Sequence, residues 1–447
     1  MWPTWFDVTL MRRLLPPRVL CVVAGVALAA PAGAGDPAAG PYTLKLSGQL
    51  RVRVESDDNL DLRGYRPAFT DTFALSRLSL EMDVRAKGRP RFHLQLRDAR
   101  AFGSALGDSD FPASNPIHDP LDVREAFVEW RDVGGSALGF TVGRQRIAYG
   151  DERVFGPGEW GNTGRWTWDA ARGHVEHGAL WVDAWVGRAV VNRPDSWPNS
   201  SAGGVRAAVL YGGVRRGEDR LDLFAGEKRD DTVRRGERGT GSLRCRFIGL
   251  QADAALAGPW RWGVTAVHET GHTADDSIDA LGASAWLAVR LGGAWKALAT
   301  VASTYGSGDR DPHDGVHGAF DGVFGGADIR FYGYLNLVFW ANVWDYEARV
   351  ELHPAEGLAV RFEGHCFQLA QARDAWYSTG LQAVRRDPSG AAGGDLGWEL
   401  DTRAIWSPRP ALELAAGGGW FAPGSFVERT GPAPHASWGF VQTTWRF

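Results

Sequence analysis

Strict two-residue alternation recurs along nearly the whole chain and constrains its fold more than any single motif. In "ALSRLSLEMDVR" (Ala74–Arg85), Leu78, Leu80, Met82 and Val84 share one face. Arg77, Ser79, Glu81, Asp83 and Arg85 share the other. Phe92, Leu94 and Leu96 likewise oppose Arg91, His93, Gln95 and Arg97, and Trp344, Tyr346, Ala348 and Val350 oppose Asp345, Glu347, Arg349 and Glu351. The pattern returns in Leu358, Val360 and Phe362 against Arg361 and Glu363, and in Trp398, Leu400, Ala404 and Trp406 against Glu399, Asp401 and Arg403. A soluble sandwich alternates too. Here many runs reach about 9–13 residues, the length of a tilted membrane strand, against ~5–6 for an average soluble one. Aromatics gather near run ends, at Trp130, Trp295, Tyr332, Tyr334, Trp344, Trp406 and Trp420, as interfacial girdles do. The expected fold is all-β: a transmembrane antiparallel β-barrel of about 18 strands with a polar lumen, made by one chain.

The two ends place that barrel. Arg12, Arg13 and Arg18 precede an apolar run, Val19–Ala30, and the small residues Ala32-Gly33-Ala34. This is a secretory signal peptide, residues 1–34, with Met11 as an alternative start. The barrel is then one domain, 35–447. Beyond the signal, no run approaches the ~18 consecutive apolar residues of a membrane helix. The chain closes on "SWGFVQTTWRF", in which Gly439, Val441, Thr443, Trp445 and Phe447 share a face. A terminal aromatic on an alternating strand resembles the recognition signal of bacterial outer-membrane barrels. It implies the outer membrane of a Gram-negative envelope, its lipids and the barrel-assembly machinery as partners. Short connections, "AKGRP" (Ala86–Pro90), "HPAEG" (His353–Gly357) and "SPRP" (Ser407–Pro410), read as periplasmic turns. The long polar segments Gly103–Pro120, Asn192–Gly204, Ser303–Ala327 and Gln371–Gly394 read as external loops. Cys245 and Cys366 remain after signal removal, either paired or as two small strand residues.

One stretch concentrates charge: "GRQRIAYGDERVFG" (Gly143–Gly156), followed by "PGEWGNTGRWTWDAARG". Alternation puts Gln145 inward with Gly143. A glycine there can mark a bulge that re-aims Arg144. Arg144, Arg146, Asp151, Glu152 and Arg153 either shape the pore or simply end a strand with solvated charges.

This stretch, with "REAFVEW" (Arg124–Trp130), "ASTYGSGDRDPHDGVHGAFDGVF" (Ala302–Phe324) and "LAVRFEGHCFQLAQARDAWYSTG" (Leu358–Gly380), resembles the alginate-export family of outer-membrane barrels. The resemblance runs from about Leu46 to Phe447. It implies an 18-stranded monomeric barrel whose arginine-rich lumen passes an anionic polysaccharide. It also implies plugging by an external loop and a periplasmic one.

Of 49 basic residues only four are lysine (Lys45, Lys87, Lys228, Lys296). Arginine's planar fork takes a carboxylate in two-point fashion, which suits uronate sugars. A GC-rich genome explains much of the same bias. The pore-lining candidates are Arg51, Arg53, Arg77, Arg91, Arg97, Arg144, Arg146, Arg153, Arg349, Arg361 and Arg403, with Gln145 and the acidic Glu125, Glu129, Asp151, Glu152 and Glu363. Acidic residues share the basic face throughout, so many arginines would pair across strands and brace the wall.

No catalytic residue emerges. There is no G-x-S-x-G, and no Ser–His pair can be placed. His313 and His317 sit four apart in a glycine-rich segment and suggest loop histidines before a zinc site. No metal, cofactor or nucleic acid is expected. The expected function is passive diffusion or export of an anionic polysaccharide or a related anionic solute. A general porin or small-anion channel is the alternative, and a barrel enzyme or loop-based receptor a further one.

Overall fold

The computed structural model describes residues 42–447 apart from 87, 238, 326–329 and 380. The signal segment 1–34 lies outside the described residues. Strands β1 (Tyr42–Asp61), β2 (Gly64–Ala86), β3 (Arg91–Phe102), β4 (Asp119–Trp130), β5 (Leu138–Gln145), β6 (Trp168–His177) and β7 (Leu180–Ala189) follow one another as antiparallel neighbours. So do β8 (Arg206–Arg216), β9 (Asp219–Arg235), β10 (Thr240–Ala255), β11 (Trp260–Thr273), β12 (Asp276–Arg290) and β13 (Leu298–Gly306). After a two-residue strand β14 (Val316–His317), the wall resumes with β15 (Val343–Ala355) and β16 (Leu358–Gln368). A loop hairpin, β17 (Ala375–Ser378) and β18 (Gln382–Arg386), precedes β19 (Asp395–Arg409), β20 (Leu412–Pro423) and β21 (Ala436–Arg446). β21 pairs with β1 from Gln49↔Arg446 to Asp58↔Ser437, so the sheet closes on itself as an 18-stranded barrel with no open edge. Phe447 seals the seam, its N–H donating to Gly48 O at 3.0 Å and its carbonyl accepting from Gly48 N at 2.8 Å.

Alternation sets what each face presents. Leu210, Leu223, Ile248, Phe362 and Val441 point outward and are each more than half exposed, as a lipid-facing band requires. Asp345, Glu347, Glu363 and Asp401 are their inward, buried counterparts. Trp295, Trp344, Trp406 and Trp420 lie on the outer surface. Tyr332 and Tyr334 do not join that girdle: both are buried, because they belong to a loop that turns into the barrel.

The turns after β2, β4, β6, β8, β10, β12, β15 and β19, the start of β1 and the end of β21 share one rim. The longest turns there, 131–137 and 291–297, are too short to enter the lumen, so the periplasmic plug implied by the family resemblance has no counterpart among the described residues. The opposite rim carries the long loops. Two of these, 146–167 and 307–342, fold inward. The hairpin β17–β18 and a short helix, Ser425–Thr430, sit over the rim, where Arg385 donates to Val427 O at 2.7 Å. Cys245 is buried inside the wall and Cys366 is exposed outside it, so they stand as two thiols on opposite faces.

Candidate functional site: an arginine nest around an inward loop

Strands β1, β2 and β3 place Arg51, Arg53, Arg77 and Arg97 on the inner face, all under a tenth exposed. β4 adds one more through a bulge. Its register with β3 slips where Gln95 faces Glu125 but Leu96 faces Val123. The extra residue, Arg124, therefore turns inward beside Glu125.

These guanidinium groups converge on the loop between β5 and β6. Arg51 donates to Trp160 O and Gly161 O, each at 3.1 Å, and Arg97 to Thr163 O at 3.0 Å. Arg53 donates to Trp160 O at 3.1 Å and lies 4.2 Å above the Trp160 ring. Asn162 Nδ2 lies within 3.1 Å of the carbonyls of Ser76, Arg100 and Ile117 and ties the loop to the wall. Gly164, at φ +80°, passes so close to Arg124 that a Cβ there would meet Nη2 at 2.3 Å.

Glu159 sits at the centre. Its Oε1 accepts from Arg124 Nη2 at 2.8 Å and its Oε2 from Arg97 Nη2 at 2.9 Å. Arg77 and Arg146 approach to 3.5 and 3.7 Å. Burial alone would raise this carboxyl, but Arg97, Arg124, Arg146 and Arg77 together hold it well below the usual carboxylate range. Beside the nest a pocket of about 290 Å³ is lined by Arg51, Arg77, Arg403, Arg446, Gln442 and Thr444 together with the carboxylates of Glu159 and Glu413.

The charged stretch around Arg144 divides between wall and lumen. β5 keeps unbroken register with both neighbours, so the bulge expected at Gly143 does not form, although Gly143 itself has φ +125°. Arg144 stays on the face opposite Gln145. It fills the seam between β4 and β6, with Nε on Asp169 at 2.8 Å and Nη1 on Val123 O at 3.1 Å. It is a wall residue and does not line the pore. Gln145 is buried and donates to Ala170 O at 3.2 Å within the same wall. Arg146 enters the lumen, bound to Glu125 at 2.9 Å. Arg153 is buried 4.3 Å above Phe331, with Asp151 accepting from its backbone N–H at 3.0 Å, and Glu152 pairs with Arg330 at 2.5 Å.

The remaining candidates are braced locally. Arg91 bridges Asp83 and Glu129. Arg349 binds Glu347 at 2.9 Å, Arg361 binds Glu351 at 2.6 Å, and Glu363 accepts from Tyr334 Oη at 2.6 Å. Arg403 stacks 5.6 Å from the Tyr334 ring and faces the pocket. In this sector Asp345, Glu347 and His365 have ligand atoms within 4.8 Å of one another, the only such trio found among the described residues. Arg349 on Glu347 opposes a cation there, and His365 Nδ1 is already engaged by Asp345 at 2.9 Å. Sequence reasoning missed Arg124, hidden by the bulge, and Glu159, whose only signal is its place between the turn formers "PG" and "GNTG".

A closed barrel with an apolar outer band and loops folded into a charged lumen defines an outer-membrane channel of the porin type. The fold matches Pseudomonas aeruginosa OccK2 (OpdF) at TM-score 0.59 and 12% identity, covering 90% of this chain and 97% of that one. It matches P. aeruginosa OpdQ at 0.59 and 13%, covering 90% and 98%, and a BenF-like porin from Pseudomonas fluorescens Pf-5 at 0.59 and 11%, covering 90% and 98%. A search of curated proteins gives no significant match. The alginate export family model matches residues 42–439, and the chain belongs to that family.

Proposed function

We propose that this barrel is a passive channel for carboxylate-bearing saccharides, an anionic, alginate-like polysaccharide or related anionic solutes. The observation that carries this reading is the Glu159 nest. The guanidinium forks that hold the protein's own carboxylate are chemically suited to hold a uronate carboxylate in turn. Glu125, Glu129 and Glu363 temper the arginines, so that an anion is drawn in without being bound too tightly to leave. The long-loop rim faces outward and the short-turn rim the periplasm. No covalent step and no cofactor enter; the barrel acts as a monomer, inserted by the barrel-assembly machinery.

A small-anion channel is the second reading, and the pocket size favours it: about 290 Å³ accommodates single sugars more readily than a polymer. OccK2 has been crystallised with glucuronate and OpdK with vanillate, both carboxylates. Single channels in a planar bilayer test both. Anion preference and block by an oligouronate, with no block by a neutral oligosaccharide of equal length, support the polysaccharide channel. Block by glucuronate alone supports the small-anion channel. Equal block by charged and neutral sugars, or cation preference, contradicts both.

A further inference from the structure

The outer wall carries a charge pattern that the lumen does not explain. Lateral register aligns Arg188 with Arg206, Arg206 with Arg229, Arg229 with Arg244, and Arg244 with His272, across β7 to β11. All are on the outward face. Their neighbours Ala207, Lys228 and Cys245 are the buried, inward residues. One step down, Arg246 also points outward, opposite Glu227. Like charges directly opposite one another destabilise a sheet unless something neutralises them. Only two carboxylates stand among these five arginines. Glu227 takes Arg229, Arg244 and Arg246, and Asp231 takes Arg206. Asp169 lies opposite Arg188, but its oxygens already receive Nε and Nη2 of Arg144. Asp279, farther along the wall, is engaged by His268.

The position is as informative as the charge. Directly below the row, toward the short-turn rim, the outward residues are Val186, Ala208, Glu227 and Arg246, and one step lower they become apolar at Leu210, Ala225 and Ile248; Val186, Leu210 and Ile248 are exposed by 58, 55 and 63%. The arginines therefore stand where the hydrocarbon ends on the long-loop side. Across the barrel the outward residues near the same rim are Ser56, Asp58, Thr70, Thr72, Asp98 and Arg100, with no comparable row. The cationic arc is confined to β7–β10.

We propose that this arc binds the headgroup phosphates of the anionic glycolipid of the outer leaflet, a lipid A-type molecule. Its acyl chains would lie on Val186, Leu210 and Ile248, and its phosphates would bridge the guanidinium row and supply the missing negative charge. The inference is independent of what passes through the lumen.

The full-length barrel, purified in detergent, is titrated with bis-phosphorylated lipid A, with dephosphorylated lipid A and with inorganic phosphate, and bound lipid is counted by native mass spectrometry. The expected result is retention of the bis-phosphorylated lipid, at least about tenfold weaker retention of the dephosphorylated one, and no displacement by millimolar inorganic phosphate. The R188Q/R206Q/R229Q/R244Q variant should lose the phosphorylated lipid by about tenfold or more, while R85Q/R290Q on the opposite rim keeps it. Should the quadruple variant fail to fold, R206Q/R244Q replaces it, and the lipid comparison on the unaltered barrel stands without any variant. Equal retention of both lipids, displacement by inorganic phosphate, or unchanged retention by the arginine variants overturns the proposal.

Discussion

Two walls of the same lumen follow the same alternation and end in opposite chemistry. From β1 to β4 the inward residues include Arg51, Arg53, Arg77, Arg97 and Arg124 beside the acidic Glu55, Asp57 and Glu125, and the loop that meets them brings Glu159 and a row of carbonyls. From β6 to β10 the inward residues include the aromatic Trp168, Trp181, Trp185, Tyr211, Phe224 and Phe247 beside the charged Asp183, Asp222 and Lys228, and both inward loops meet the aromatics, through Tyr149 and Phe155 and through Phe324. The first wall buries charge, which is costly unless every guanidinium finds a partner. The second buries aromatic area, stabilising by ~1.5–3 kcal/mol per large side chain. The aromatic wall is a fixed plug. The arginine wall is a polar contact, which under the proposed function another anion can replace. Loop 146–167 touches both walls, anchored by Phe155 on the aromatic side and meeting the arginines through Glu159, whereas loop 307–342 reaches the aromatic side through Phe324.

The largest expected effect breaks the aromatic side. Phe324 packs on Phe155, Trp166, Trp168, Trp185 and Phe247. Phe324→Ala should destabilise loop 307–342 by ~3–5 kcal/mol, seen as rapid protease cleavage of that loop while the barrel stays heat-modifiable. On the charged side, Arg124→Gln removes the 2.8 Å contact to Glu159 but leaves Arg97, Arg77 and Arg146 in place. The cost should be about 2 kcal/mol, measured by the accessibility of a cysteine probe in loop 146–167.

The third expectation concerns pH and sharpens the contrast. Asp309, at the base of the aromatic loop, is pushed up to about 7 by burial and then by Asp374 and Glu237. A buried acid with a raised pKa stabilises most when protonated, so its contribution falls as pH rises from its ordinary range and is gone above about 7. Glu159, held low, behaves oppositely: its contribution persists at neutral pH and fades only in acid below the ordinary carboxylate range. Proteolysis of loop 307–342 should therefore be faster at about pH 8 than at about pH 5, and Asp309→Asn should flatten the profile, while loop 146–167 stays protected throughout that range. The smallest effect separates two neighbouring arginines. Arg146→Glu should lower anion preference in bilayers, whereas Arg144→Glu, in the wall seam, should leave it unchanged.

Much of the charged wall was legible in the sequence because one face is apolar and the other charged, as in Arg77, Glu81 and Asp83 against Leu78, Leu80 and Met82. The aromatic wall was not. In "LWVDAWV" (180–186), Leu180, Val182 and Val186 face lipid while Trp181 and Trp185 face the lumen, so both faces are largely apolar and Asp183 alone marks the luminal one. Tyr332 and Tyr334 read as girdle residues for the same reason, since an aromatic at a run end carries no mark of an inward loop. Arg124 was hidden because a bulge adds one residue to the count. Glu159 was hidden because nothing local says which loop turns in.

The proposed function requires the arginine nest to set selectivity and Glu159 to occupy the place of a cargo carboxylate. Reversal potentials of Glu159→Gln and unaltered single channels, in the same salt gradient, test it most directly. A clear rise in anion preference and stronger block by oligouronate are expected once Arg97 and Arg124 lose their internal carboxylate. An intact Glu159→Gln barrel with unchanged selectivity and unchanged block would contradict it.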